Sequence, residues 1–102
     1  MPLFLVKREI FEVIINKRKT IELRKGKAKK GDVAVFQCVR KSLRRRIIKK
    51  EEGNLTDVLR QDNFKNIIPS VNTLEEAINY IKNIYGRTEG VFTAYYFEIC
   101  GC

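Results

Sequence analysis

Histidine is absent from the 102-residue chain, which removes the commonest general base and the commonest zinc ligand together. Cysteine is scarce, and none of the three suggests a metal or redox centre. Cys38 falls in an apolar strand pattern and reads as a small core residue. Cys100-Gly101-Cys102 has the spacing of neither a zinc knuckle nor a C-x-x-C pair, so free thiols are expected, with a tail disulfide as the alternative. No metal and no cofactor are expected. Apolar runs long enough to span a bilayer are missing, and the first residues show no basic segment followed by a long apolar one. The expectation is a cytoplasmic protein with no membrane partner. Internal repeats and low-complexity linkers are missing too, so residues 1–102 read as a single domain.

Acidic residues are few in the first half. Residues 1–50 hold seventeen Lys and Arg against four acids, a net +13, whereas 51–102 hold four against eight, a net −4, giving +9 overall. With 44% hydrophobic and 32% charged residues the chain is globular rather than disordered. A positive field concentrated in one half is the footprint of a protein that meets phosphate backbones. The plain alternative is a basic surface that serves solubility alone.

The stretch KRKTIELR, 17–24, gathers basic side chains, one carboxylate and one hydroxyl around Ile21 and Leu23. As a strand, it sends Ile21 and Leu23 to one face and Thr20, Glu22 and Arg24 to the other. Lys19 stands at the strand's mouth, able to reach Glu22 or a bound anion. This face suits recognition of a phosphate or polar base; it equally suits a solvated edge.

Around it, Leu3–Val6 reads as a first strand, and Ile10, Phe11, Ile14 and Ile15 recur at helical spacing over about 7–16. The lysine- and glycine-rich loop KGKAKKGD repels itself and is expected to be mobile until an anion gathers it. VAVFQCV, 33–39, reads as a central strand. RKSLRRRIIKK, 40–50, carries seven cations and reads as a strand pairing back on it, with a charged outer face, before KEEGN turns. Asn54 caps an expected helix LTDVLRQ, and Pro69 ends the segment after it. Thr73-Leu74-Glu75-Glu76 is a capping box opening a helix to about Tyr85, stopped by Gly86, with Leu74, Ala77, Ile78, Ile81 and Ile84 on its apolar side. GVFTAYYFEI, 90–99, alternates Val91, Thr93, Tyr95 and Phe97 against Phe92, Ala94, Tyr96 and Glu98, apolar on both sides, as in a doubly buried strand. The pattern is α+β: a small curved or closed sheet with flanking helices.

Lys19, Glu22 and Arg24 match the K-x-x-E-x-R part of the G-x-K-x-x-E-x-R signature of the ASCH domain. The lead-in helix, Gly31-Asp32 before a hydrophobic strand, the Leu55–Leu59 helix, IIPSVNTLEEAI and GVFTAYYFEI follow the order of small archaeal-type members. The chain therefore resembles an ASCH domain over essentially its whole length, which implies a PUA-like curved β-barrel and an association with RNA. Lys17 stands where the signature has glycine, a substitution that resists positive φ. ASCH amidohydrolases of acetylated cytidine use a lysine, a threonine nucleophile and a glutamate. Lys19 matches the lysine, but Glu22 holds the threonine position and Ser70 falls near that of the glutamate. Thr20 lies on the same strand face without being the matching residue. A carboxylate does not inherit a hydroxyl's acyl-transfer role without a different mechanism.

Two functions follow. In the first, the chain binds RNA, tRNA-sized or single-stranded, through Lys17, Lys19, Thr20, Glu22 and Arg24. Lys27, Lys29 and Lys30, with Arg40, Arg44, Arg45 and Arg46, add electrostatic surface. Tyr95, Tyr96 or Phe92 offers a stacking face, unless they are core. In the second, the chain is a ribonuclease or a modified-nucleoside amidohydrolase with Lys19 and Glu22 as its catalytic pair.

Overall fold

The computed structural model describes residues 2–98, so the Cys100-Gly101-Cys102 tail lies outside the described residues. In chain order the elements are β1 (Leu3–Leu5), α1 (Arg8–Ile15), β2 (Ile21–Lys25), β3 (Val33–Cys38) and β4 (Lys41–Gly53). There follow α2 (Leu55–Val58), α3 (Phe64–Ile67), α4 (Leu74–Tyr85) and β5 (Phe92–Phe97). The strands pair in the order β1-β3-β4-β5-β2, with β1 parallel to β3 and the other neighbours antiparallel.

The curl of this sheet comes from β4. The sequence suggests a turn at Glu51, but the strand continues to Gly53, because its second half finds a new partner. Lys41–Arg46 pair with Cys38–Val33, and Ile47–Gly53 pair with Phe97–Phe92. The register slips between Ile47 and Lys49, a bulge that bends the strand and leaves Ile48 60% exposed despite its apolar side chain. The result is the α+β half-barrel with flanking helices expected from the sequence.

Alternation along β5 divides the interior into two cores. Tyr95 and Phe97 join Phe4, Phe11, Ile14 and Phe36 inside the curl, while Phe92 and Ala94 join Ile21, Leu23 and the residues of α2–α4 on the other face. β5 is thus buried on both sides, as its apolar alternation requires. The same burial removes Phe92, at 0% exposure, and Tyr95, at 1%, as stacking faces. Tyr96 is removed as well: its ring packs against the core around Phe92 and Ala94 with Lys49 Nζ 5.0 Å from its centroid, and its hydroxyl donates to Glu51 at 2.7 Å and accepts from Arg60 and Asn63.

Two further expectations are corrected. The lysine-rich loop is tied down rather than loose: the Ala28 N–H donates to Glu52, the Lys29 N–H to the Tyr95 hydroxyl, Thr93 Oγ1 to the Gly26 carbonyl, and Lys50 Nζ to the Lys29 carbonyl. These four contacts, spread over the loop, tie its backbone to β4 and β5, while its lysine side chains are exposed. The expected helix over 55–61 stops at Val58, because the Asn63 side chain captures the Arg60 N–H at 2.7 Å and competes with the helical bond. Leu59 becomes extended and enters the core, and a second short helix, α3, begins at Phe64. By contrast α4 follows its sequence signals. The Glu76 N–H donates to Thr73 Oγ1, the Thr73 N–H to the Glu76 carboxylate, and Gly86 ends the helix at φ +73°.

Candidate functional site

The entry into β2 depends on how α1 ends. The Arg18 N–H donates to the Val13 carbonyl and the Lys17 N–H to the Ile14 carbonyl, the crossed pair of a Schellman motif. Such a motif needs a left-handed residue, and Lys17 supplies it at φ +70° without being glycine. The turn is therefore kept at the price of local strain. It delivers Lys19 directly beneath α1, its own N–H bonded to the Val13 carbonyl.

Lys19 is buried, 5% exposed, and its ammonium is fully engaged. It donates to the Ile21 carbonyl at 2.8 Å and the Ile67 carbonyl at 2.6 Å, and lies 3.3 Å from Glu22 Oε1. Ile67 ends α3, so its carbonyl is one of the orphans a helix terminus leaves, and Lys19 caps it while pinning the edge of β2. Burial lowers the Lys19 pKa, an effect that the Glu22 carboxylate opposes and the Arg24 cation reinforces. Glu22, 6% exposed, accepts on its other oxygen from Arg24 Nε at 2.6 Å. Arg24 continues across the gap between the sheet's edge strands, donating from Nη2 to the Leu5 carbonyl at 3.0 Å and lying 5.0 Å over the Phe4 ring. Its Nη1 has no hydrogen-bond partner among the described residues.

These three side chains form the polar part of a cleft of about 660 Å³. Leu5, Val6, Lys7 and Ile10 wall it on one side; Tyr80, Ile81, Asn83, Ile84 and Tyr85 of α4 wall it on the other. Tyr80 is 38% and Ile84 57% exposed, and Lys7 and Asn83 are exposed beside them, so the rim mixes apolar and polar groups and is open to solvent. A concave, mostly apolar site with a few convergent polar groups can hold a flat ring and fix its edge.

The structure thus brings Lys19, Glu22 and Arg24 together; Lys29 does not line the cleft, and its ammonium lies 5.9 Å from the centroid of the Phe4 ring on which Arg24 also rests. The other candidates are elsewhere. Lys17 is exposed at the end of α1, and Thr20 is half-buried with its backbone joined to Asn66 and Phe97. Lys27 and Lys30 are exposed on the loop, away from the cleft walls. Arg44 and Arg46 lie on the outer face of β4 opposite Val35 and Val33. Arg45 is the departure from a uniformly charged outer face: it pairs with buried Ala34 and is half-buried. Arg40 lines a separate groove beyond α1, and Ser70 is exposed outside the cleft walls. Sequence reasoning missed Lys7, Tyr80 and Asn83. Ile84 carried a signal, since it extends the apolar side of α4 further than the sheet covers.

No protein-family model matches the sequence, and no curated protein matches it. Solved structures do match. The hypothetical protein PH0355 superposes with a TM-score of 0.77 at 17% identity, covering 96% of this chain and 98% of that one. The solution structure of PF0455 from Pyrococcus furiosus gives 0.67 at 25% identity, covering 95% and 94%. The crystal structure of ASCH from Zymomonas mobilis gives 0.67 at 14% identity, covering 94% of this chain but 65% of that one. This chain therefore shares its fold with these structures, the ASCH protein of Zymomonas mobilis among them, and is about as long as PH0355 and PF0455. Among the described residues no helix is long and apolar enough to cross a membrane.

Proposed function

We propose that this chain is an RNA-binding domain, one unit over 1–102 acting in the cytoplasm, that takes a nucleotide of its RNA into the cleft beside β2. The observation that carries this reading is the convergence of Lys19, Glu22 and Arg24 on a concave space rather than a flat sheet face. Arg24, with Nη1 unpaired among the described residues, contacts a phosphate or a base edge. Glu22 is held in place by both cations and keeps lone pairs for a base amino group. Lys19 acts at one remove: its protons are committed to protein acceptors, so it fixes Glu22 and sets the positive potential of the floor. Tyr80 at the rim offers the stacking face that β5 does not. The test is RNA affinity at low salt in Arg24→Ala. Loss of binding supports the assignment, and unchanged binding removes it.

A second reading is favoured by one observation, a carboxylate at the floor of a cleft held between two cations, where Glu22 takes the proton and Lys19, itself fully engaged, positions it. Release of fragments from labelled RNA, or of acetate from acetylcytidine, abolished in Glu22→Gln, supports catalysis. Purified protein that releases neither leaves binding as the function.

A further inference from the structure

We propose that the β3–β4 hairpin tip and the groove beneath it form a second RNA-contacting surface, an apolar wedge set among cations on the far side of α1 from the cleft. The proposal rests on the RNA-binding reading above and extends it from one nucleotide to a strand. Arg8, Phe11, Glu12 and Ile15 follow one another at i, i+3, i+4 and i+7, so they share a stripe of α1. That stripe lines a groove of about 480 Å³ closed by the hairpin residues Cys38–Lys41. Lys7 and Ile10 line the cleft instead, so α1 is the wall common to both concavities. A helix with its side chains is about 10–12 Å across, a width that a short oligonucleotide spans and a mononucleotide does not.

The tip itself is unusual. Val39 and Arg40 connect the strands, and Val39 has φ +54° while Arg40 does not have a positive φ. A two-residue turn with positive φ at its first position favours glycine there, and β-branched residues resist it. Valine puts its methyl groups into solvent at 85% exposure, next to Ile15 at 50%. Around them stand Arg8, Arg40 and Lys41 against the single acid Glu12, and none of the three cations forms an ion pair among the described residues. The occupant is therefore anionic and has apolar faces to meet the valine. Nucleic acid has both, phosphates for the cations and base faces for the wedge. A membrane is less suited: two partly exposed aliphatic residues bury far less than a single acyl chain, which by itself binds only marginally. A second copy would bring the same excess of basic charge and be repelled.

The test compares a short single-stranded RNA with a mononucleotide, using the full chain as wild type, Val39→Gly, Arg40→Gln/Lys41→Gln and Arg24→Ala. Glycine suits the φ of position 39, so Val39→Gly folds, with a melting temperature at or above wild type as the control. Both hairpin variants are expected to weaken RNA binding roughly tenfold and leave mononucleotide binding unchanged. In the double variant the slope of log affinity against log salt falls by about 0.7 for each phosphate that is no longer neutralised. Hairpin variants with wild-type RNA affinity and salt slope, beside a weakened Arg24→Ala, overturn the wedge and leave the cleft reading intact. The converse, hairpin variants weakened and Arg24→Ala unchanged for both ligands, supports the hairpin surface and removes the cleft. Loss of sedimentation with phosphatidylserine vesicles while RNA affinity holds makes the tip a lipid-binding element and overturns the proposal.

Discussion

Replacing Lys19 by Met keeps the length of the side chain and removes its charge. Two carbonyls, Ile21 and Ile67, lose a charged donor at 2.8 and 2.6 Å, and Glu22 loses one of its two cations. Hydrogen bonds from a charged group are worth about 1.5–3 kcal/mol each, and breaking a buried pair from one side costs about 3–5 kcal/mol. Two effects reduce that figure. Methionine ends the desolvation of the ammonium, the same effect that lowers the Lys19 pKa, and Glu22 keeps Arg24 at 2.6 Å. The expected loss is about 3 kcal/mol, a large share of the roughly 5–15 kcal/mol that folds a domain. Urea denaturation followed by circular dichroism reads it as a lower midpoint at unchanged slope. Lys19→Met/Glu22→Gln should lose less than the sum of the two single variants, because the carboxylate is no longer stranded. A loss below about 1 kcal/mol in Lys19→Met would refute the view that this ammonium joins β2 to α3.

The remaining predictions concern the turn, the acid limb and the rim. Lys17→Gly relieves a left-handed lysine worth about 1–2 kcal/mol, less the extra freedom of glycine in the unfolded chain, so stability should rise by about 0.5 kcal/mol; a lower melting temperature contradicts this. At Glu51, burial pushes the pKa up, but hydrogen bonds from Tyr96, Lys49 and Arg60 outweigh it and hold the carboxyl below its ordinary value. A depressed folded pKa means stability that is present above the unfolded value of about 4.3 and lost as pH falls through the folded one. Acid titration should therefore show a steeper fall for wild type than for Glu51→Gln, and parallel curves would exclude the effect. Tyr80→Ala should weaken RNA binding by about 1–3 kcal/mol with little change in melting temperature, since its ring is 38% exposed; a large thermal loss would make it a packing residue instead.

What the sequence disclosed followed from local rules. The capping box at Thr73, the stop at Gly86 and the doubly apolar alternation of 92–97 are short-range signals, and each corresponds to an observed element. The face shared by Glu22 and Arg24 followed from strand alternation alone. What stayed hidden depends on partners distant in the chain. Lys19 appeared to be at a strand's mouth, and only the return of Ile67 from 48 residues away buries it. The loop over 25–30 looked self-repelling because its anchors, Glu52, Thr93 and Tyr95, belong to strands later in the chain. For Tyr95 and Phe92 the local signal is sufficient: an alternation apolar on both faces already argues against either ring as a stacking face, and both are buried. The left-handed lysine at 17 is the intermediate case: the missing glycine was legible, but that the Schellman turn forms regardless was not.

The claim on which the account stands is that Lys19, Glu22 and Arg24 form the floor of a nucleotide-binding cleft. Titration of the isotope-labelled chain with a mononucleotide, followed by amide NMR shifts, tests it most directly. The account predicts saturable shifts at Lys7, Ile10, Glu22, Arg24, Tyr80 and Asn83, abolished in Arg24→Ala. Shifts confined to the exposed cations of β4 and the 25–30 loop, or the same cleft shifts in Arg24→Ala, would contradict it.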